Sequence, residues 1–273
     1  MLRPVEDKLK KQPNVTVTED PWTDLRQFTE ARIALGRCGV APPLEANLEF
    51  KLAHAQARDA IYCEFDKAGL EQALAGLTQT VLLKSDTDTR HEYLTRPDKG
   101  RQLGSESLEQ LRQLDIPAEG YDVSLIIADG LSPRAIHESA AKFTEQFISI
   151  CRKTPLKLAP ICIVENARVA IADEIGHALK AKVSVILIGE RPGLSSPNSM
   201  GIYMTYGPRP GKTDESRNCI SNVRPGGLSI ESGIQKLSYL IETALSLKLS
   251  GVNLKDTMPA HYLPFFNTPM LEA

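Results

Sequence analysis

The stretch Gly207-Pro208-Arg209-Pro210-Gly211-Lys212-Thr213 comes nearest, in residue type and spacing, to a phosphate-binding loop. Such a loop needs Gly, four residues, then Gly-Lys-Ser/Thr, so that backbone N–H groups curl around the phosphates and the lysine reaches them. Here only three residues separate the glycines. The segment behind it, Asp214 to Asn218, lacks an apolar helical face whose N-terminus would hold a phosphate. A nucleotide-binding α/β enzyme using the Gly207 to Thr213 loop therefore stands as an alternative reading. Gly227-Leu228-Ser229-Ile230-Glu231 misses the nucleophile elbow Gly-x-Ser-x-Gly at its last position, and Ser229 fits better as a helix N-cap. The five histidines, His54, His91, His137, His177 and His261, show no ligand spacing. The five cysteines, Cys38, Cys63, Cys151, Cys162 and Cys219, are odd in number and include no Cys-x-x-Cys pair. They support neither a disulfide framework nor a zinc cluster, so no metal site is expected.

Strand ends carry the more informative polar residues. Val183 to Ile188 is a short unbroken apolar run that leads into Gly189-Glu190-Arg191-Pro192-Gly193. That pattern fits a strand covered on both faces whose loop opens into the crevice of a parallel sheet. Two more segments follow at strand spacing, Ile202 to Tyr206 and Cys219 to Val223, and three strand ends are expected on one side. Asp129-Gly130 closes another buried run, Val123 to Ala128; a plain turn and a ligand-facing carboxylate are equally open there. Asp173 and Glu174 read as helix-dipole partners. Arg96 and Arg101 fit either a partner contact or carboxylate capping.

The elements that position these residues follow from periodicity. Thr23 can cap a helix carrying Leu25, Phe28 and Leu35 up to Gly36. Leu44, Leu48, Leu52 and Ala55 mark a second helical face, and Leu70, Leu74 and Leu77 a third. A helix from Pro97 with Leu103, Leu111 and Leu114 completes a helical N-terminal third. From Tyr121 the pattern alternates: a strand at 123–128, a helix at 133–152, a strand at 161–164 with Pro160 at its start, a helix at 171–180, then the Val183 strand. A last helix, with Ile230, Ile234, Leu237, Ile241, Ala244 and Leu245 on one face, ends at Ser250-Gly251. Alternation predicts an α/β chain: a Rossmann-like parallel sheet domain with helices on both faces, preceded by a smaller helical N-terminal region. The expected organisation is a flexible tail at 1–21, the helical region at 22–115, the Rossmann-like domain at 116–254 and a C-terminal tail at 255–273.

Composition excludes several classes. With 273 residues, 42% hydrophobic and 24% charged, the chain can bury an ordinary core. Its 32 basic and 34 acidic side chains give a net charge of −2, which suits neither nucleic acid nor an anionic membrane. No apolar run approaches the length of a membrane span, and the first residues lack a signal-peptide core. A soluble protein of the cytoplasm is expected.

Several ordered phrases resemble the small-subunit family of ethanolamine ammonia-lyase: Tyr93-Leu94-Thr95-Arg96-Pro97-Asp98-x-Gly100-Arg101, Asp129-Gly130-Leu131-Ser132, Arg168-Val169-x-Ile171 to Gly176, Val185 to Leu194, and Arg217 to Asn222 with Gly226-Gly227. The resemblance runs from about Thr23 to Asn253. It implies a subunit of an adenosylcobalamin-dependent lyase that converts ethanolamine to acetaldehyde and ammonia by radical chemistry. A large barrel subunit holds the ethanolamine, the two assemble as a hetero-oligomer, and no catalytic residue need lie in this chain. Carried over residue by residue, the small-subunit cofactor contacts fall on Val169, Glu190 and Cys219. No histidine has Asp two residues before it, so the Asp-x-His-x-x-Gly pattern that replaces cobalamin's lower base is missing, and the cofactor should keep its own base. A non-catalytic scaffold of the large subunit remains a further alternative. Some members of the family enter a protein-shelled bacterial microcompartment through an N-terminal extension; the residues before Trp22 show little amphipathic pattern, which favours a cytoplasmic location at least equally.

Overall fold

A computed structural model describes residues 17–265. The tail expected at 1–21 therefore lies mostly outside the described residues, as does the end of the one expected at 255–273. The chain divides between Ala55 and Gln56 into two compact units, and the division falls inside helix α1 (Leu44–Tyr62).

In the first unit the helix expected at Thr23 is a six-residue 3-10 segment, Thr23–Phe28. The Thr23 hydroxyl donates to the Asp20 carbonyl at 2.6 Å instead of capping, and Leu25 and Phe28 are exposed. Helix α1 forms where its leucines indicate, yet Leu44, Leu48 and Leu52 are 72%, 56% and 61% exposed, while Ala53, Ala57 and Ala60 are buried. Periodicity marks an apolar stripe without saying whether anything covers it.

The second unit contains α2 (Lys67–Leu74), β1 (Thr80–Lys84), α3 (Arg90–Thr95), α4 (Ser105–Arg112), β2 (Tyr121–Ala128), α5 (Pro133–Cys151) and β3 (Ile161–Glu165). These are followed by α6 (Ile171–Ala178), β4 (Ala181–Gly189), β5 (Met200–Tyr206), β6 (Arg217–Val223) and α7 (Ile230–Leu247). The six strands form one sheet in the order β1-β3-β2-β4-β5-β6. The α/β class is as expected, and the pairs β1–β3, β3–β2 and β2–β4 are parallel. Three details differ from the sequence reading. Strand β1 was not expected; its alternating burial places it at the sheet edge, after α2 has ended and Gly76 has turned the chain at φ +80°. The helix expected from Pro97 is a 3-10 turn, Lys99–Arg101, and α4 begins only at Ser105. Strand β5 runs antiparallel to both β4 and β6. The links at 190–199 and 207–216 carry no α-helix, and a parallel crossover needs a dozen or more residues, usually helical.

The reversal of β5 decides which loops can meet. Gly189 pairs with Met200, and Met200 with Val223, so the end of β4, the start of β5 and the end of β6 share one sheet edge. Tyr206 pairs with Val183 and Thr205 with Arg217, so the Gly207 to Thr213 loop leaves from the opposite edge. The three strand ends expected on one side are thus two.

Alternate residues of the central strands face two hydrophobic clusters. Leu125, Ile127, Val185 and Leu187 pack with Phe143 and Phe147 of α5 and Leu237 and Ile241 of α7. Ile126, Ala128, Ile186 and Ile188 pack with Leu111 of α4 and Ile171 and Ile175 of α6. Ser132 caps α5, accepting from the Ala135 N–H at 3.3 Å, and Ser229 caps α7, accepting from Ser232 at 3.1 Å. After α7, Tyr262 folds back, its ring edge-on to Tyr239 and its hydroxyl donating to Glu242 at 2.5 Å. No helix among the described residues is long and apolar enough to cross a membrane.

Candidate functional site

The chain leaves β2 toward one face of the sheet, through α5, and leaves the adjacent β3 toward the other, through α6. Carboxyl ends that diverge in this way form the crevice where open α/β sheets usually hold ligands. Here the chain fills it with its own side chains. Asp129, buried at the end of β2, accepts from the Arg90 guanidinium at 2.8 Å through Oδ2 and from the Ala167 N–H at 3.2 Å through Oδ1. Burial pushes its carboxyl up to about 6, although Arg90 and the backbone N–H groups of Asn166 and Ala167 pull the other way. Arg90 also donates to the Ile61 carbonyl and to Asn166 Oδ1. Both oxygens of Asp129 are thus engaged inside the chain, an arrangement that neither reading of Asp129-Gly130 included. Gly189 is held by the same packing: a Cβ there would meet the Ser132 and Asp129 carbonyl oxygens at 2.2 and 2.5 Å, so its small size serves the neighbouring loop.

The sheet face beyond β4 is different. The cluster under α6 reaches, among the described residues, only as far as Tyr203 of β5, and Cys219 and Ser221 of β6 are exposed. Tyr203 stands in register opposite Cys219 on the neighbouring strand. Desolvation raises the Cys219 thiol pKa, helped by the nearby negative charge of Glu190, which suits a soft contact and not a thiolate nucleophile. Glu190 caps the end of β4: its N–H donates to the Ser199 carbonyl at 2.9 Å, and its Oε2 accepts from the Ser199 hydroxyl and from the Asn222 N–H at 3.2 Å. Its Oε1 lies beside Gly201, where a Cβ would come within 2.9 Å. Val169, half-buried in the β3–α6 loop, packs against the same cluster as Tyr203. Glu190 and Cys219 are therefore neighbours around Tyr203, and Val169 shares their side of the sheet. Tyr203 was not singled out in the sequence, although its alternation with Gly201 and Thr205 on β5 would have placed it there.

Other motif residues serve the fold. Lys212 turns inward, donating to the Tyr206 carbonyl at 2.6 Å, and burial lowers its pKa. Arg217 pairs with Asp173 at 2.6 Å, both side chains only 3% exposed, and donates to the Lys212 carbonyl. The loop that resembles a phosphate binder is thus pinned to α6, at the edge away from Glu190. Arg96 is exposed and pairs with Asp98, holding that carboxyl down at about 2. Arg101 is exposed on its 3-10 turn. His137 stacks on Phe65 and accepts from the Asp66 N–H at 3.0 Å. Among the described residues no three His, Cys, Asp or Glu side chains converge in a way that could hold a metal ion.

Comparison with known proteins addresses the chain as a whole. It is 49% identical over 243 residues to an ethanolamine ammonia-lyase small subunit of Xanthomonas campestris pv. campestris, covering 88% of this chain and 89% of the relative. It is 48% identical to one of Pseudomonas fluorescens, covering 90% of each chain, and 46% identical to one of Pseudomonas putida, covering 93% and 94%. Residues 19–255 match the family described as ethanolamine ammonia-lyase light chain, and this chain belongs to that family.

Proposed function

We propose that this chain is the small subunit of an adenosylcobalamin-dependent ethanolamine ammonia-lyase, a lyase that converts ethanolamine to acetaldehyde and ammonia. In this reading a large subunit holds the substrate, and the chain covers one side of the cofactor at the interface between them. The observation that carries the reading is the exposed part of the β5–β6 face at Cys219 and Ser221, beside the half-buried Tyr203 and Glu190, within a chain that matches the family from residue 19 to 255. A wide macrocycle with an amide-bearing rim needs a broad surface and a few polar anchors. Tyr203, Cys219 and Val169 offer such a surface, and Glu190 an acceptor for amide N–H or hydroxyl groups. The bound cofactor supplies the radical chemistry; the contribution of these residues is to hold it, orient it and exclude water. No residue of this chain is assigned a catalytic role. The region 116–254 is proposed as the cofactor-binding domain, working in the cytoplasm or inside a microcompartment.

Co-expression with a large subunit, followed by an adenosylcobalamin-dependent acetaldehyde assay with each subunit omitted in turn, tests this directly. Activity should require both subunits and the cofactor. Turnover of ethanolamine by the large subunit alone, with unchanged cofactor affinity, would favour a scaffold role instead.

A further inference from the structure

The β3–α6 loop leading to Val169 is held at each of its first three residues. The Ser85 hydroxyl donates to the Asn166 carbonyl at 2.7 Å. The Ala167 N–H donates to Asp129, and the Ala167 carbonyl accepts from the Tyr93 hydroxyl at 3.0 Å. The Arg168 N–H donates to the Gly100 carbonyl at 2.7 Å, and its guanidinium donates to the Tyr93 carbonyl at 3.1 Å. Tyr93 is fully buried, with the guanidinium of Arg90 4.7 Å and that of Arg168 4.3 Å from its ring centre. Each guanidinium is attracted to the face of the ring, so together they hold Tyr93 in place. Asn166 adds a second sign of constraint, a left-handed backbone at φ +57° in a residue that is not glycine.

We infer that Tyr93, its ring packed against Arg90 and Arg168, is a positioning residue that fixes the loop presenting Val169 and so sets cofactor affinity from a buried place that cannot touch the cofactor. The inference rests on the proposed contact at Val169. The residues that directly follow β1, β2 and β3, namely Ser85, Asp129 and Asn166, all belong to this network, which includes the side chains that fill the crevice. Neither Tyr93 nor Ser85 is exposed, which leaves the loop as the route by which either could act on a ligand.

The test uses the complex of both subunits and measures the adenosylcobalamin dissociation constant by equilibrium dialysis, the rate at saturating cofactor, and the melting temperature. Tyr93→Phe removes the hydroxyl that meets Ala167 and keeps the ring that the two guanidinium groups pack against. Ser85→Ala loosens the same loop from another strand, and Val169→Ala tests the contact itself. Losing one buried hydrogen bond should weaken cofactor binding about two- to tenfold in Tyr93→Phe and Ser85→Ala, with the saturated rate unchanged. Weakened binding in Val169→Ala alone would overturn the positioning role and leave the contact standing. Unchanged binding in Val169→Ala would overturn the contact, and the inference with it, whatever the other variants do.

Discussion

Glu190 holds a loop in place, and in the proposed function it also meets the cofactor. Its Oε2 ties the loop after β4 to Asn222 of β6, while Oε1 sits at the edge of the open face. Glu190→Gln keeps the shape and one acceptor oxygen but exchanges the other for a donor. Hydrogen bonds to a charged group contribute roughly 1.5 to 3 kcal/mol, so cofactor affinity in the complex should fall about ten- to a hundredfold. A drop in melting temperature with unchanged affinity would instead make Glu190 a loop residue only. Asp129 gives a pH prediction. Its folded pKa, raised to about 6 from an ordinary 3.8, means the folded state favours the protonated acid. Its contribution to stability is present below about pH 4 and is lost as pH rises through about 6, amounting to about 3 kcal/mol. Asp129→Asn should flatten the stability profile between those values, as denaturant melts at several pH values would show; an unchanged profile would count against it. In the sequence Asp129 was legible as a strand end, but its partner was not, because Arg90 lies 39 positions away and only folding brings them together.

At the scale of elements, β6 and α6 are joined by the buried Arg217–Asp173 pair. Asp173 Oδ1 is buried without a hydrogen-bond partner, and desolvation raises this carboxyl's pKa despite Arg217. Removing one partner of such a pair leaves an uncompensated charge and typically costs about 3 to 5 kcal/mol, whereas replacing both with apolar residues can be neutral. Arg217→Met should therefore be strongly destabilising in urea unfolding, and Arg217→Met with Asp173→Leu should recover most of the loss. A double variant no better than the single would point to Thr205, Lys212 and Asp214, the other partners of Arg217, as the main contributors. The early position of Asp173 in α6 was readable as a dipole partner, but its burial against β6 was not. The antiparallel turn of β5 was nearly legible: the Pro- and Gly-rich link at 190–199 has no helical period and is too short for a parallel crossover.

For the molecule as a whole, the open β5–β6 face can cover only one side of a large flat ligand. The chain alone should therefore bind adenosylcobalamin weakly and turn over no ethanolamine, with tight binding appearing only when a large subunit closes the other side. Equilibrium dialysis of the separate chain and of the complex measures the difference, and equal affinity in the two would overturn it.

The sequence by itself determined the α/β class, the central strands and their helices, and the family, because unbroken apolar runs, helical periods and contiguous phrases are local properties of a chain. Tertiary structure alone decided three things: that the leucines of α1 are exposed, that the crevice between β2 and β3 is filled by Arg90, and that Glu190, Tyr203 and Cys219 meet across three strands. Each depends on which surfaces the fold brings together and which it leaves uncovered, and residue spacing along one segment carries no information about the segment that will lie against it.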